Sequence, residues 1–479
     1  MKELTDIALN TAKLKGATYA DIRIIDIRNE SLVVRNETIK GANTSSSLGF
    51  GVRVIAGGAW GFACSNNVTK EEVRVVTAKA VAIARASATL KENNVLLSPA
   101  KARQAKWMTP YVVDPFTVPI EQKLKLLFDI NKVLRKKKEI VSATSSMNFA
   151  RERQWLATTD GTFIDQTITR SGAGYGVTAV GNGDVQSRSF PASHGGLYKT
   201  MGYEMIAGTK LVENADRIRD EAIALLKAQP CPGGKKDIIV GGSQMALQIH
   251  ESVGHATELD RVLGMEESFA GRSFATPEKY RKFRYGSDIV NLVADSTIPT
   301  GLATIGFDDD GIPAQRWDIV KNGRFTGYMT SREFAPQIGE ESRGCNRAEG
   351  WNNIPIVRIA NLSLMPGNRQ LKELIADTKD GIYMDNNKMW SIDQMRLNFQ
   401  FTCEIGWEIK NGRRGKMIKN PTYQGITPEF WNSCDAICDE DHWVLWGVPN
   451  CGKGQPMQTA EMSHGAAPSR FRKITVGIK

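Results

Sequence analysis

The chain has 479 residues, 41% of them apolar and 24% charged, with seven cysteines and a net charge of +10. That composition excludes a disordered chain and a disulfide-stapled miniature fold, and no stretch approaches the ~18 apolar residues of a membrane span. The segment Met1 to Asp6 carries acids and no apolar core, so it does not read as a signal peptide, and a reducing cytoplasm is the expected compartment.

Taken in order, Glu3–Lys15 reads as a helix, Asp21–Arg28 and Ser31–Arg35 as two strands, and Gly57-Gly58 as a hairpin turn between Gly51–Ile55 and Ala59–Phe62. Lys70–Ser87 is a long amphipathic helix. The pattern then recurs. Pro119–Lys138 reads as a helix, Ala143–Phe149, Gln154–Thr158 and Gly174–Val180 as strands, and Val212–Ala228 as a closing helix. Helix, strands, helix appears twice, which suggests an internal duplication at the level of pattern. The densest basic run, Lys136-Lys137-Lys138, falls at a predicted helix end, where cations complement the helix dipole. No aromatic-basic RNA motif or helix-turn-helix signature accompanies the positive charge, so nucleic acid is not an expected partner.

Gln229 to Gly234 is the clearest linker. Beyond it comes a strand, Asp237–Val240, and then a helix with Ser243 as its N-cap. Short strands dominate after residue 285, with Asn322-Gly323 and Asn411-Gly412 as hairpin turns. Cys434 and Cys438 fall on a predicted short helix. The fold class is α+β: an N-terminal α/β region, then a β-rich C-terminal domain. The expected domains are 1–110, 111–228 and 235–479.

The helix after Ser243 holds the chemistry. His250 and His255 lie five apart with Glu251 beside the first. The zincin pattern His-Glu-x-x-His spaces its histidines by four, about 40° apart around a helix, whereas a spacing of five gives about 140°. The two can share one metal ion only where the helix bulges or ends between them, and a π-bulge or a break near Gly254 is expected. Two neutral imidazoles and a third ligand would leave one zinc position for water, with Glu251 as general base. Spacing does not choose the third ligand. Glu258 and Asp260 are near; His442, His464, Cys451 and the pair Cys434/Cys438 are distant. Cys451 lies in a glycine-rich loop, Pro449 to Gly454, two residues before Lys453, a setting that favours thiolate. His442 and His464 are candidates for lining the cleft.

These elements together resemble the TldD/PmbA metallopeptidases, also called modulators of DNA gyrase. The resemblance rests on Gly16 to Arg23, Gly51-Val52-Arg53, Trp60-Gly61-Phe62, His250 to His255 with Glu258 to Arg261, Asp310 to Ala314, Asn322-Gly323 and Cys451 to Gln455. The metal motif is intact, as in the TldD-like kind and unlike the PmbA-like kind. The resemblance implies His250, His255 and Cys451 as zinc ligands and Glu251 as general acid/base. It further implies an enclosed active site that favours unfolded or extended peptides. It also implies a dimer, either a homodimer or a heterodimer with a PmbA-like paralogue. The competing reading is a non-catalytic regulatory or partner subunit, which metal content would distinguish.

Overall fold

The computed structural model describes residues 1–477. Helix α1 (Lys2–Leu14) leads into a meander of β1 (Tyr19–Arg35), β2 (Thr38–Ala56) and β3 (Ala59–Ser65), closed by α2 (Lys70–Ser87). After β4 (Gln104–Met108), α3 (Ile120–Leu134) leads into a second meander of β5 (Ile140–Thr158), β6 (Phe163–Gly181) and β7 (Asp184–Phe190). The short β8 (Leu197–Lys199) and α4 (Glu204–Gly208) follow, and α5 (Leu211–Leu225) closes the unit. Antiparallel pairing of β1 with β5, from Asp21↔Thr158 to Arg35↔Thr144, fuses the two meanders into one eight-stranded sheet. The order β3-β2-β1-β5-β6-β7 is mirrored about that seam, which gives the repeated pattern its structural form.

Each half buries its own helices. Ala8, Ala12, Val73, Val76 and Ala80 of α1 and α2 meet Ile22, Ile24, Phe50 and Val52 of the first meander. Leu127, Ile130, Ile218 and Ala222 of α3 and α5 meet Phe149, Ala173 and Val177 of the second. The Gly57-Gly58 turn has φ of 63° and 78°, the left-handed pair that a two-residue hairpin needs. Several boundaries differ from the sequence reading. The expected strand pair 21–28 and 31–35 is the single strand β1, and 143–149 with 154–158 is the single strand β5. The interruption Asn29-Glu30 of β1 stands opposite Ala150 and Phe149, Glu30 is paired with Lys123 of α3, and Ser31 donates its hydroxyl to Asn148 Oδ1 at 2.8 Å across the seam. Helix α3 stops at Leu134, so Lys136–Lys138 lie beyond it on the exposed surface and cap nothing.

Strands β9 (Gln229–Pro230) and β10 (Gly234–Val240) enter the second body. Its main sheet runs Asp380–Ile392, β10, Ser469–Val476, Thr422–Ile426, Asn398–Lys410, and Asp380–Ile392 pairs again with Asn398–Lys410. Five strands therefore close on themselves. Two-residue turns at Asn322-Gly323 (φ 47° and 74°) and Asn411-Gly412 (φ 47° and 74°) occur as the sequence suggests. Cys434–Ile437 is a strand, not a helix, and pairs with Ser469–Val476. Helix α6 (Gly242–Ile249) follows β10 into the interior, where Met245, Ile249 and Val253 pack with Tyr423, Phe430, Trp431 and Phe471. Among the described residues no helix is long and apolar enough to cross a membrane.

The two bodies are joined by buried charge. The Asp308-Asp309-Asp310 loop docks onto the first sheet: Arg23 Nη1 reaches Asp309 at 3.1 Å, and Arg53 Nη2 reaches Asp310 at 2.6 Å and Asp21 at 2.8 Å. All are nearly inaccessible to water, so one arginine neutralises two buried carboxylates. Removing it leaves both uncompensated. Arg53→Met is expected to lower unfolding free energy by about 3–5 kcal/mol, whereas Lys2→Ala, which breaks an exposed pair with Asp6, should cost less than about 1 kcal/mol. Denaturant midpoints of the two variants check this contrast.

Candidate metal centre

The helix that carries the histidines changes pitch where they lie. Regular α-helix ends at Ile249, and His250–Gly254 forms a π turn in which the His255 amide donates to the His250 carbonyl five residues back. His255–Thr257 then tightens to a 3₁₀ turn. The wide turn brings the imidazoles to one side, with ring centroids 4.8 Å apart. Gly254 permits this for a different reason than its backbone freedom. Its φ is −53°, an ordinary helical value, but a Cβ there would sit 2.8 Å from Ile359 Cδ1. The glycine provides space, not a special conformation. Ser243 does not cap the helix. The cap position is Gly241, and the Ser243 hydroxyl meets Asp385 Oδ1 at 2.8 Å and Asn386 Oδ1 at 2.6 Å.

The helix is enclosed by protein, so its polar side chains need internal partners. Gln244 Nε2 donates to the Tyr423 hydroxyl, and that hydroxyl donates to Gln248 Oε1, each at 3.0 Å. Gln248 Nε2 and Trp431 Nε1 both donate to Ser252 Oγ at 3.0 Å. Tyr285 donates its hydroxyl to the Ser252 carbonyl at 2.5 Å. The π turn is thereby fixed from three sides.

Cys451 arrives on strand Val444–Lys453, after a bulge that inserts one residue between Val448 and Cys451 relative to the partner strand. Its Sγ lies 3.3 Å from His255 Nε2, and one donor atom from each of His250, His255 and Cys451 falls within 4.8 Å of the others. The hydrogen bonds fix the tautomers. His464 Nδ1 must donate to the Leu362 carbonyl at 2.9 Å, so its Nε2 accepts from His250 Nδ1 at 2.8 Å. His255 Nδ1 donates to Glu258 Oε2 at 2.8 Å. Both Nε2 lone pairs are therefore free. Burial pushes His250 and His255 well below the ordinary imidazole range and His464 down to about 4, so all three rings are neutral at pH 7. Two oriented imidazoles and a sulfur are a donor set suited to zinc.

The remaining candidates from the sequence take other roles. Glu258 and His464 orient the histidines. Asp260 holds Lys453 Nζ at 2.5 Å, and Glu266 holds it at 3.4 Å. Lys453 is thus engaged elsewhere and does not activate the cysteine. Burial pushes the Cys451 thiol up to about 12, with Arg358 as the opposing cation. His442 is half-buried and pairs with Asp439 at 2.8 Å, while Cys434 and Cys438 are buried core residues. None of these three joins the cluster.

Glu251 opens into a pocket lined by His194, Trp390, Arg396, Asn450 and the three clustered side chains. Burial raises its carboxyl pKa, and the guanidinium of Arg396, 2.5 Å from Glu251 Oε2, pulls the other way. A carboxylate beside the cluster and not tied to it can take and return a proton. The supporting role of Glu258 and His464, and the presence of Arg396 and His194, were not apparent from sequence. Arg396 stands in no motif, and His194 is an isolated histidine in a loop.

Over residues 233–477 the chain matches the PmbA/TldA metallopeptidase C-terminal domain, over 20–84 domain 1 of that family, and over 113–228 its central domain. A metalloprotease of Methanocaldococcus jannaschii is 30% identical over 92% of this chain and 93% of its own length. A protein of Saccharolobus solfataricus described as a zinc metalloprotease and TldD homologue is 22% identical over 98% of each chain. Among solved structures, a modulator of DNA gyrase from Thermotoga maritima superposes with a TM-score of 0.78 at 16% identity, covering 99% of this chain and 100% of that one. TldE of Thermococcus kodakarensis gives 0.75 at 16%, with coverage of 99% and 100%. These two show the shared fold. With the family's three domains matched in order and a metalloprotease 30% identical across most of its length, the chain belongs to the PmbA/TldA metallopeptidases, hydrolases of the peptide bond.

Proposed function

We propose that the protein is a zinc peptidase in which His250, His255 and Cys451 hold the metal and Glu251 is the general base. The observation that carries this reading is the convergence of two oriented imidazole lone pairs and one sulfur in a single pocket with an unliganded carboxylate. Zinc bound there would polarise the scissile carbonyl and bring a water pKa toward about 7. Glu251 accepts the proton of the attacking water and passes it to the leaving amine. Arg396 favours the ionised carboxylate that this task requires, against the effect of burial.

Extended or unfolded peptide is the proposed substrate. The pocket lies between the C-terminal body and the loop that carries His194 from the central unit, a recess that an extended chain can enter. Strand Val444–Lys453 pairs in a sheet only with Gln458–Ala466, and an extended peptide entering the pocket would run beside it. We also propose a cytoplasmic dimer, of two copies or with a PmbA-like paralogue. The seven free cysteines and the structural likeness to TldE support that proposal. A purely regulatory subunit would not need a carboxylate at Glu251, beside the cluster and outside its donor set.

Three measurements test the reading. Cys451→Ala should lower zinc per chain in elemental analysis; unchanged zinc would remove Cys451 from the site. Glu251→Gln should keep its zinc while hydrolysis of an unfolded peptide falls by about 10²–10⁴-fold. Because buried Glu251 pairs with half-buried Arg396, the same variant should also lose roughly 1–3 kcal/mol of stability. Full activity in Glu251→Gln would rule out its role as base. The third measurement concerns pH. A histidine that stays neutral when folded, down to about 4 for His464, binds fewer protons than the unfolded chain below the ordinary value of about 6.5. Stability of the metal-free protein should therefore fall as pH drops through that window, and less steeply in His464→Gln. Parallel profiles would contradict a neutral His464.

A further inference from the structure

Arg396 combines three features that packing alone does not explain. It is a non-glycine residue with φ of 61°, in the left-handed region. Its Nε is buried without a hydrogen-bond partner. Its guanidinium lines the metal pocket and bonds Glu251 through Nη1. The strained backbone is held from all sides. The Arg396 amide donates to the Asp393 carbonyl at 3.0 Å, and Thr427 donates its hydroxyl to the Arg396 carbonyl at 2.8 Å. The Asp393 carboxylate accepts from the amides of Leu397 and Asn398 at 2.8 and 3.0 Å. A conformation this constrained, with an unmet donor on a charged group, is characteristic of a residue placed for a ligand.

The chemistry of the pocket indicates which ligand. Among the described residues that line it, Arg396 alone carries a permanent positive charge. When water adds to a peptide carbonyl, the carbon–oxygen π pair moves onto oxygen. That oxygen then carries negative charge until the carbon–nitrogen bond breaks and the amine takes up the proton removed from water. A preorganised donor beside the general base stabilises that charge.

We propose that Arg396 is a catalytic residue that donates hydrogen bonds to the carbonyl oxygen of the peptide bond under attack, and that the pair with Glu251 is its arrangement before substrate binds. The proposal rests on the peptidase reading above. It assigns the Nη2 donors to substrate and leaves Nη1 on Glu251, so one side chain orders both the base and the electrophile.

The test compares zinc-loaded wild type, Arg396→Gly and Arg396→Lys in calorimetric binding of a phosphinic peptide, whose tetrahedral anion mimics the charged oxygen and cannot be cut. Glycine suits a φ of 61°, so Arg396→Gly removes the guanidinium and relieves the backbone together. It should weaken phosphinic-peptide binding by about 10²–10³-fold and lower kcat by a similar factor, with KM for the parent peptide within about threefold and zinc unchanged. Arg396→Lys, which keeps the charge but not the planar fork, should recover part of both, and it carries the test by itself if the glycine variant fails to fold. Equal affinity in wild type and variant would overturn the proposal, as would loss of zinc in step with affinity. If wild type bound zinc but not the phosphinic peptide, the peptidase reading would fall and this assignment with it. A wild type that binds the analogue while a variant does so equally well defeats the Arg396 assignment alone.

Discussion

One backbone hydrogen bond sets the geometry of the centre: the His255 amide donates to the His250 carbonyl, five residues back rather than four. An α-helix of the same sequence would point the two imidazoles about 140° apart. The π turn holds because its surroundings complement it. Ser252 sits at its middle with hydroxyl and carbonyl both engaged, and Ile359 occupies the space that a side chain at position 254 would need. The ring orientations follow from the next layer, where Leu362 and His464 set the tautomer of His250 and Glu258 sets that of His255. The cluster is thus shaped largely by residues outside the trio His250, His255 and Cys451.

The sequence showed some of this and concealed the rest, for physical reasons. Local signals were readable where local energetics dominate: amphipathic α2, the Gly57-Gly58 and Asn-Gly turns, and the histidine pair with its awkward spacing. Long strands were misread as broken ones. The polar residues of β1 find partners far along the chain, Glu30 in Lys123 and Ser31 in Asn148, which no local pattern signals. Ser243 resembled a helix cap, but its hydroxyl is drawn to Asp385 and Asn386, more than 140 residues away in sequence. Lys453 looked like an activating cation beside Cys451. In three dimensions Asp260 and Glu266 claim it, and it serves to anchor the strand that presents the cysteine. Arg396 had no sequence signal, because its significance comes from a turn between two strands that only the closed sheet brings to the pocket.

The same division holds for the two bodies. Their cores are separate hydrophobic clusters, and buried ion pairs cross the junction between them. Buried ion pairs fix orientation more stringently than apolar contact, since a small displacement leaves charges without partners in a medium that cannot solvate them. The placement of the His194 loop over the C-terminal pocket depends on that registration.

The buried state of Cys451 also bears on the history of the chain before it meets a metal. Burial pushes the Cys451 thiol up to about 12, so at neutral pH the protonated form dominates. Oxidants and electrophiles react with the thiolate, so a buried thiol of this kind offers them little to attack. The thiolate forms in quantity only when a cation is present to hold it. If Cys451 is a metal ligand, as proposed, the enclosure that makes it a weak acid would also keep its sulfur in the less reactive thiol form until a cation arrives.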